Sequence, residues 1–297
     1  MTNLGQADIR NNSSYKRVLV TGATGFIGRN LVRYLANDGW EVHAISRKAQ
    51  ESSGAEPGTT WHQYDGSYES VCHAIQKTKP EVVFHLASHF LAAHQPDQID
   101  AMNESNLRFG MHLLEGMYKC GVRKLVNTGT NWQHLNNAKY DPVNLYAATK
   151  QAFEAIIDYY CNAHSLHAVT LKLFDTYGPG DERRKLIPVV LKAIESGELL
   201  DMTEGLQQIN LVHVLDVCRA FVIAGERPNR GGAHERFGVY AERSLSIREV
   251  VAILEAKQQK RLSTRWGQRP ENLRQMKTPP KLEILPTWSQ TRRFGDF

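Results

Sequence analysis

Arg17-Val18-Leu19-Val20-Thr21-Gly22-Ala23-Thr24-Gly25-Phe26-Ile27-Gly28 is the stretch that decides the fold. Its first residues form a short apolar run of the kind a buried strand needs. Ile27, Leu31, Val32 and Leu35 then recur at helical spacing until Gly39. Between strand and helix, Gly22 permits a sharp turn and Gly25 admits the backbone close to a pyrophosphate. Gly28 lets the helix pack on the strand, and the N–H groups at the helix start face the phosphates. Glycines at this spacing also serve ordinary turns that need positive φ. Because a strand precedes them and a helix follows, they read as a dinucleotide cradle that includes Thr24, Phe26 and Ile27.

Outward from this unit the apolar runs continue at Glu41–Ile45, Trp61–Tyr64, Val82–Leu86, Lys124–Val126 and Ala168–Phe174. Helical patterns lie between them, notably Ala101–Cys120 and Asn144–His164. Such alternation predicts an α/β fold, a doubly wound parallel sheet with its ligand at the carboxyl edge. Residues 16–178 are expected to form the dinucleotide-binding domain, and residues 1–15 a polar, disordered tail. After Gly178 the alternation loses regularity, so 179–297 is expected to be a smaller substrate-binding portion. Within it Ile209–Ala224 reads as a strand and helix that return to the main sheet.

The 297 residues carry 36 basic and 31 acidic side chains, a net charge of +5 spread along the chain. That is too diffuse for a nucleic-acid surface, while suiting an anionic small substrate. No apolar run reaches the ~20 residues of a membrane span, and the N-terminus lacks a signal-peptide core. A cytoplasmic location is expected. Cys72, Cys120, Cys161 and Cys218 show no CxxC spacing, so they read as reduced thiols.

The end of the second strand selects the cofactor. Ile45-Ser46-Arg47-Lys48 holds no carboxylate for ribose hydroxyls, and Ser46 with Arg47 suits a 2′-phosphate. NADP is therefore expected, with NAD the alternative if Arg47 and Lys48 are only solvated surface charges. Asp65 is placed to meet the adenine edge, and it also reads as a plain turn aspartate before Gly66.

Tyr146-Ala147-Ala148-Thr149-Lys150 is the second signal. A spacing of four sets Tyr146 and Lys150 on one helical face. A nearby ammonium stabilises phenolate, so a lowered tyrosine pKa and proton transfer during hydride chemistry are expected. The same pattern also occurs in ordinary amphipathic helices. Upstream, Val126-Asn127-Thr128-Gly129-Thr130 ends a strand, with Thr128 the first choice of hydroxyl and Thr130 the reserve.

With these pieces the chain resembles an extended short-chain dehydrogenase/reductase that acts on nucleotide sugars. The resemblance rests on TGATGFIG, Asp65, VVFHLAS, Asn106, YAATK and LVHVLDV. NTGTNWQH, DPVNLYAATKQAFE and KLFDTYGPGD are most similar to the CDP-abequose/CDP-paratose synthase type, which reduces the 4-keto group of a CDP-linked dideoxyhexose. The resemblance implies Tyr146 as acid/base, Lys150 on the nicotinamide ribose and Thr128 on the sugar oxygen. It implies that Leu86, Ala87, Ser88, Asn106 and Phe174 serve the cofactor, and that two copies pair through two long helices as a homodimer.

Departures from the wider family bear on substrate. Gly129-Thr130 stand where dehydratases carry an Asp-Glu pair, so water elimination lacks its proton carriers. Asp175 replaces a substrate-binding asparagine, and Ile209 replaces a phosphate-binding arginine, leaving Arg269 for the diphosphate. His85, His89 and His94 share no helical face and are not read as a metal site. His89 or His94 facing the sugar is the expectation. The reading is an NADPH-dependent 4-ketoreductase of a nucleotide-activated deoxysugar. An NAD-retaining 4-epimerase and a non-catalytic cofactor sensor are the rivals.

Overall fold

In the computed structural model, which describes residues 16–48 and 57–296, β1 (Arg17–Thr21) enters the glycine turn and α1 (Phe26–Asn37) leaves it. Gly39, at φ +79°, closes that helix. The chain continues through β2 (Glu41–Ser46), β3 (Thr59–Gln63), α2 (Tyr68–Thr78) and β4 (Val82–His85). Next come α3 (Ile99–Asn103), α4 (Phe109–Lys119), β5 (Lys124–Thr130), α5 (Leu145–His164), β6 (His167–Leu173) and β7 (Asp175–Tyr177). The remainder comprises α6 (Leu186–Ser196), β8 (Leu200–Asp201), β9 (Gln208–Ile209), β10 (Leu211–His213) and α7 (Val214–Glu226). It closes with β11 (His234–Val239), β12 (Leu245–Ser246), α8 (Ile247–Gln258) and β13 (Thr264–Arg265). The expected tail at 1–15 lies outside the described residues.

Seven strands form one parallel sheet in the order β11-β6-β5-β4-β1-β2-β3. Alternate side chains of β1 divide between its faces: Val18 and Val20 pack with Phe84, Val126 and Phe221, Leu19 with Val83, Leu113 and Phe153. A sheet covered on both faces needs such continuous apolar strands. Burying Phe84 or Phe221 fully contributes about 1.5–3 kcal/mol each. A third core joins Val190 and Ile194 of α6 to Val250 and Leu254 of α8.

Two expectations need correction. Of Ile209–Ala224 only the helix α7 returns to the main sheet. The strand β10 pairs instead with β7 in a separate two-stranded ribbon. The sheet edge beside β6 is occupied by β11, which pairs with it from His234–Ala168 to Val239–Leu173 and lies within the segment assigned to the smaller portion. The long helix expected over Ala101–Cys120 runs without interruption from Ile99 to Lys119 and contains one π-helical turn at Glu104–Arg108. Buried in that turn, the Asn106 amide donates to His89 O (3.2 Å) and Thr149 Oγ1 (3.0 Å). Asn106 Oδ1 accepts from Ser88 Oγ and His89 N. The widened turn thereby ties the loop after β4 to α5.

Candidate active site

The glycine turn is shaped by close approach. A Cβ on Gly22 (φ +68°) would lie 2.5 Å from Ala87 N, and one on Gly28 2.1 Å from Gly22 O. Thr21 Oγ1 accepts from Leu86 N and Ala87 N, so the ends of β1 and β4 are bound together. Gly25 caps α1 without a side-chain hydrogen bond, which leaves the first N–H groups of the helix for a ligand. A cavity of about 200 Å³ opens there, lined by Gly22, Thr24, Gly25, Ser46, Arg47, Leu86, Ala87 and Ser88. This cradle fits a dinucleotide: a bare helix start for the diphosphate, and a serine and an arginine at the end of β2.

Asp65 is an exception. Its Oδ1 accepts from Ser67 N (2.8 Å) and Ser67 Oγ (2.6 Å), and the exposed carboxylate shapes the turn into α2. Tyr64, not Asp65, lines the cavity, with Glu104, Ser105 and Phe109. Phe26 is buried beneath the Arg183 guanidinium, 4.4 Å from ring centroid to cation. Asn106 lines neither this cavity nor the next and acts on the site through Ser88 and His89.

A second cavity of about 750 Å³ adjoins the first through Leu86 and Ser88. Thr128, Tyr146, Lys150, Thr130, Phe174, Asp175 and Ile27 all line it. Thr128 Oγ1 donates to His85 O at 2.9 Å. Thr130 Oγ1 accepts from Trp132 N and caps the short turn Asn131–Gln133. Asn144 starts α5 by accepting from Ala147 N, while its amide donates to Ala92 O and Leu91 O. That pair of contacts fixes the loop 90–93 over the helix carrying Tyr146.

His89 does not line the second cavity, and neither does His94; Phe90, Leu91, Ala92 and Ala93 do. Asn106 holds both backbone polar groups of His89, which turns Phe90 toward the site. His85 is buried and hydrogen-bonds Thr21 Oγ1 through Nδ1. Among the described residues, no group of three or more His, Cys, Asp or Glu is arranged to hold a metal ion. No helix among them is long and apolar enough to cross a membrane.

Tyr146 differs from expectation in its acidity. Burial pushes its phenol up to about 12, against the hydrogen bond with Ser88 and the charge of Arg183. Desolvation of a phenolate therefore outweighs these two stabilising neighbours. Lys150 is itself carried down to about 8 by burial, with Glu154 opposing and Lys172 assisting. Its ammonium has no hydrogen bond or ion pair with the described residues.

Phe90, Trp132, Arg183 and Lys185 all line this cavity, although the sequence pattern assigned none of them to the site. Phe90 meets Trp132 at 5.5 Å between ring centroids, and the Lys185 ammonium lies 4.0 Å from the Phe90 centroid. Arg183 is clamped by Asp181 and donates to Thr176 O. Only their position just beyond strand ends, or in the charged turn after Gly178, marked them beforehand. Arg184 and Lys185 also line a third cavity with Arg269, Met202, Thr203 and Gln207.

The sequence profile of the NAD dependent epimerase/dehydratase family matches residues 18–239. The chain is 23% identical over 252 residues to the CDP-abequose synthase of Yersinia pseudotuberculosis, covering 84% of this chain and 88% of that one. It is 29% identical over 253 residues to the UDP-glucose 4-epimerase of Mycolicibacterium smegmatis, covering 79% and 80%. Among solved structures, the Thermus thermophilus UDP-glucose 4-epimerase complex with NAD superposes with a TM-score of 0.82 at 23% identity, over 94% of this chain and 96% of that one.

Proposed function

The chain belongs to the NAD dependent epimerase/dehydratase family, and from that premise we propose that it reduces the 4-keto group of a nucleotide-activated, CDP-linked deoxyhexose with NADPH. The carrying observation is the second cavity, where Thr128, Tyr146 and Lys150 converge beside the glycine cradle. When bound, the nicotinamide supplies the hydride. Tyr146 donates its proton to the carbonyl oxygen as hydride arrives at the carbon, and Thr128 turns its hydroxyl from His85 O to that oxygen. Lys150, without a hydrogen bond or ion pair among the described residues, holds the nicotinamide ribose and places positive charge behind the developing phenolate.

The substrate end is supported by the shared walls. The sugar occupies the second cavity and the nucleoside the third, so the diphosphate passes Arg184 and Lys185, which line both. Arg269 approaches from the far side, in keeping with Ile209 in the place of the family's arginine. Apolar Phe90, Leu91 and Trp132 face the sugar, which suits a ring that has lost hydroxyls. Ser46 and Arg47 favour the 2′-phosphate of NADP over NAD. Two copies pair through α4 and α5, where Met111 and Tyr159 stand exposed.

A second reading, a 4-epimerase retaining NAD, is favoured by the Mycolicibacterium relative. CDP- and UDP-linked 4-ketosugars incubated with stoichiometric NADPH separate the two. Net formation of NADP with each product molecule supports the reductase. No ketosugar reduced there, with UDP-glucose and UDP-galactose interconverted in a parallel incubation with NAD and no net cofactor turnover, overturns it.

A further inference from the structure

Beneath the catalytic face lies a buried charge pair that the proposed chemistry does not use. Glu154 sits one helical turn beyond Lys150, as Lys150 does beyond Tyr146, and is fully buried. Its Oε1 accepts from Lys172 Nζ of β6 at 2.5 Å and from Gln133 Nε2 at 2.9 Å, and its Oε2 from Arg236 Nε of β11 at 3.2 Å. Gln133 continues the chain of contacts, because its Oε1 accepts from Thr130 N at 3.0 Å. The end of β5, where Thr128 stands, is thereby fastened to the helix that carries Tyr146 and Lys150.

Gly129 makes the arrangement possible. A Cβ there would lie 2.8 Å from Lys172 Cδ and 3.1 Å from Gln133 Oε1. A side chain such as the acid that dehydratases carry after the threonine would collide with the pair. The glycine therefore does more than lack a proton carrier: it admits Lys172 and Gln133 beneath the site.

Resting on the proposed roles of Tyr146 and Lys150, we infer that Glu154 and Lys172 are paired positioning residues that fix the end of β5 against the helix carrying Lys150 and set the potential at its ammonium. Lys150 lies one turn from Tyr146 and one from Glu154 on its own helix, and its charge interacts with Glu154, with Lys172 on β6 and with His85 on β4. Arg236, with Asp158 and His234 behind it, and His134 in the loop after β5 surround the pair itself. Glu154 draws the Lys150 proton on and Lys172 repels it, so the two partners act on Lys150 with opposite sign. Burial works to raise the Glu154 carboxyl, yet Lys172 and Gln133 keep it below the ordinary glutamate range.

Opposite signs give a test that a structural prop would not pass. NADPH affinity, read by fluorescence, and kcat/KM are measured from pH 6 to 9.5 on the full chain and on Glu154→Gln and Lys172→Met. Melting curves verify that each variant is folded. In the unchanged protein both quantities should fall as Lys150 loses its proton, near the value of about 8 set by its burial. Glu154→Gln should move that fall down by about one pH unit and Lys172→Met should move it up by a similar amount. Lys172→Arg should restore the original profile. Shifts of the same sign, or lowered melting temperatures with an unmoved pH profile, overturn the inference. If Glu154→Gln does not fold, the direction of the Lys172→Met shift decides alone. The cofactor arm needs no sugar, so opposed shifts with no ketosugar reduced would uphold the pair while refuting the proposed substrate.

Discussion

Phe90 meets Tyr146 edge to face, with ring centroids 4.9 Å apart and planes at 79°. The contact uses the tyrosine ring and leaves its hydroxyl toward Ser88. Tyr146→Phe should therefore keep the packing, and melting temperature and NADPH affinity should stay at their original values. Loss of the general acid should lower kcat by about 10²–10⁴-fold. Stopped-flow reduction of a ketosugar measures this. A variant that works at nearly the original rate would leave Tyr146 as ordinary helix surface.

The two threonines at the end of β5 do different work. Thr128 Oγ1 spends its hydrogen on His85 O at the edge of the cavity, where a sugar oxygen can take it over. Thr130 Oγ1 caps a turn. Thr128→Val should lower kcat with little change in stability or cofactor binding. Thr130→Val should cost about 0.5–2 kcal/mol of stability in a denaturant titration. The reverse pattern would exchange the roles assigned to them.

Arg47 lines the first cavity beside Ser46. One charge-assisted hydrogen bond to a 2′-phosphate contributes about 1.5–3 kcal/mol, so NADPH should be preferred over NADH by at least tenfold. Arg47→Ala should remove most of that preference. Equal kcat/KM for both cofactors in the unmodified protein would return Arg47 to the role of a surface charge.

Lys185 lies over Phe90 and Trp132 on the wall between the second and third cavities. Lys185→Met keeps its bulk against the rings and removes its charge. KM for a nucleotide sugar should rise about 10–100-fold, the equivalent of one charge-assisted contact, with kcat nearly unchanged. Isothermal titration with CDP reports the same loss without turnover. An unchanged CDP affinity would place the diphosphate elsewhere.

His85 is held to about 3 by burial and by Lys150, whereas an unfolded chain takes up a proton near 6.5. The folded-state value is depressed, so between those limits the unfolded chain binds more protons. Stability rises with pH through this window and is lost as pH falls, by about 1.4 kcal/mol per unit for one such group. Melting temperature should decline below pH 6.5, and His85→Gln should flatten the decline. An identical slope in the variant would assign the acid sensitivity to other groups such as His234, which burial takes to about 4.

What the sequence determined by itself is local in origin. Periodicity places a strand before Gly22 and a helix after Gly25, and helical geometry sets Tyr146 and Lys150 on one face wherever that helix packs. The parallel sheet follows from the alternation of such units, and the cofactor cradle from the glycines between the first two. Tertiary structure decided what depends on residues far apart in the chain. Burial raises the Tyr146 phenol against the opposing pull of Ser88 and Arg183, although spacing alone pointed to a lowered value. Strand β11 completes the sheet from a segment that reads as part of the smaller portion, because its partner β6 lies far back in the chain. Asp65 turns to Ser67 and His89 is held by Asn106, so neither lines the cavity expected of it. Desolvation and long-range hydrogen bonding act through the folded surroundings of a side chain, and a linear pattern of residues carries no record of those surroundings until the chain has packed.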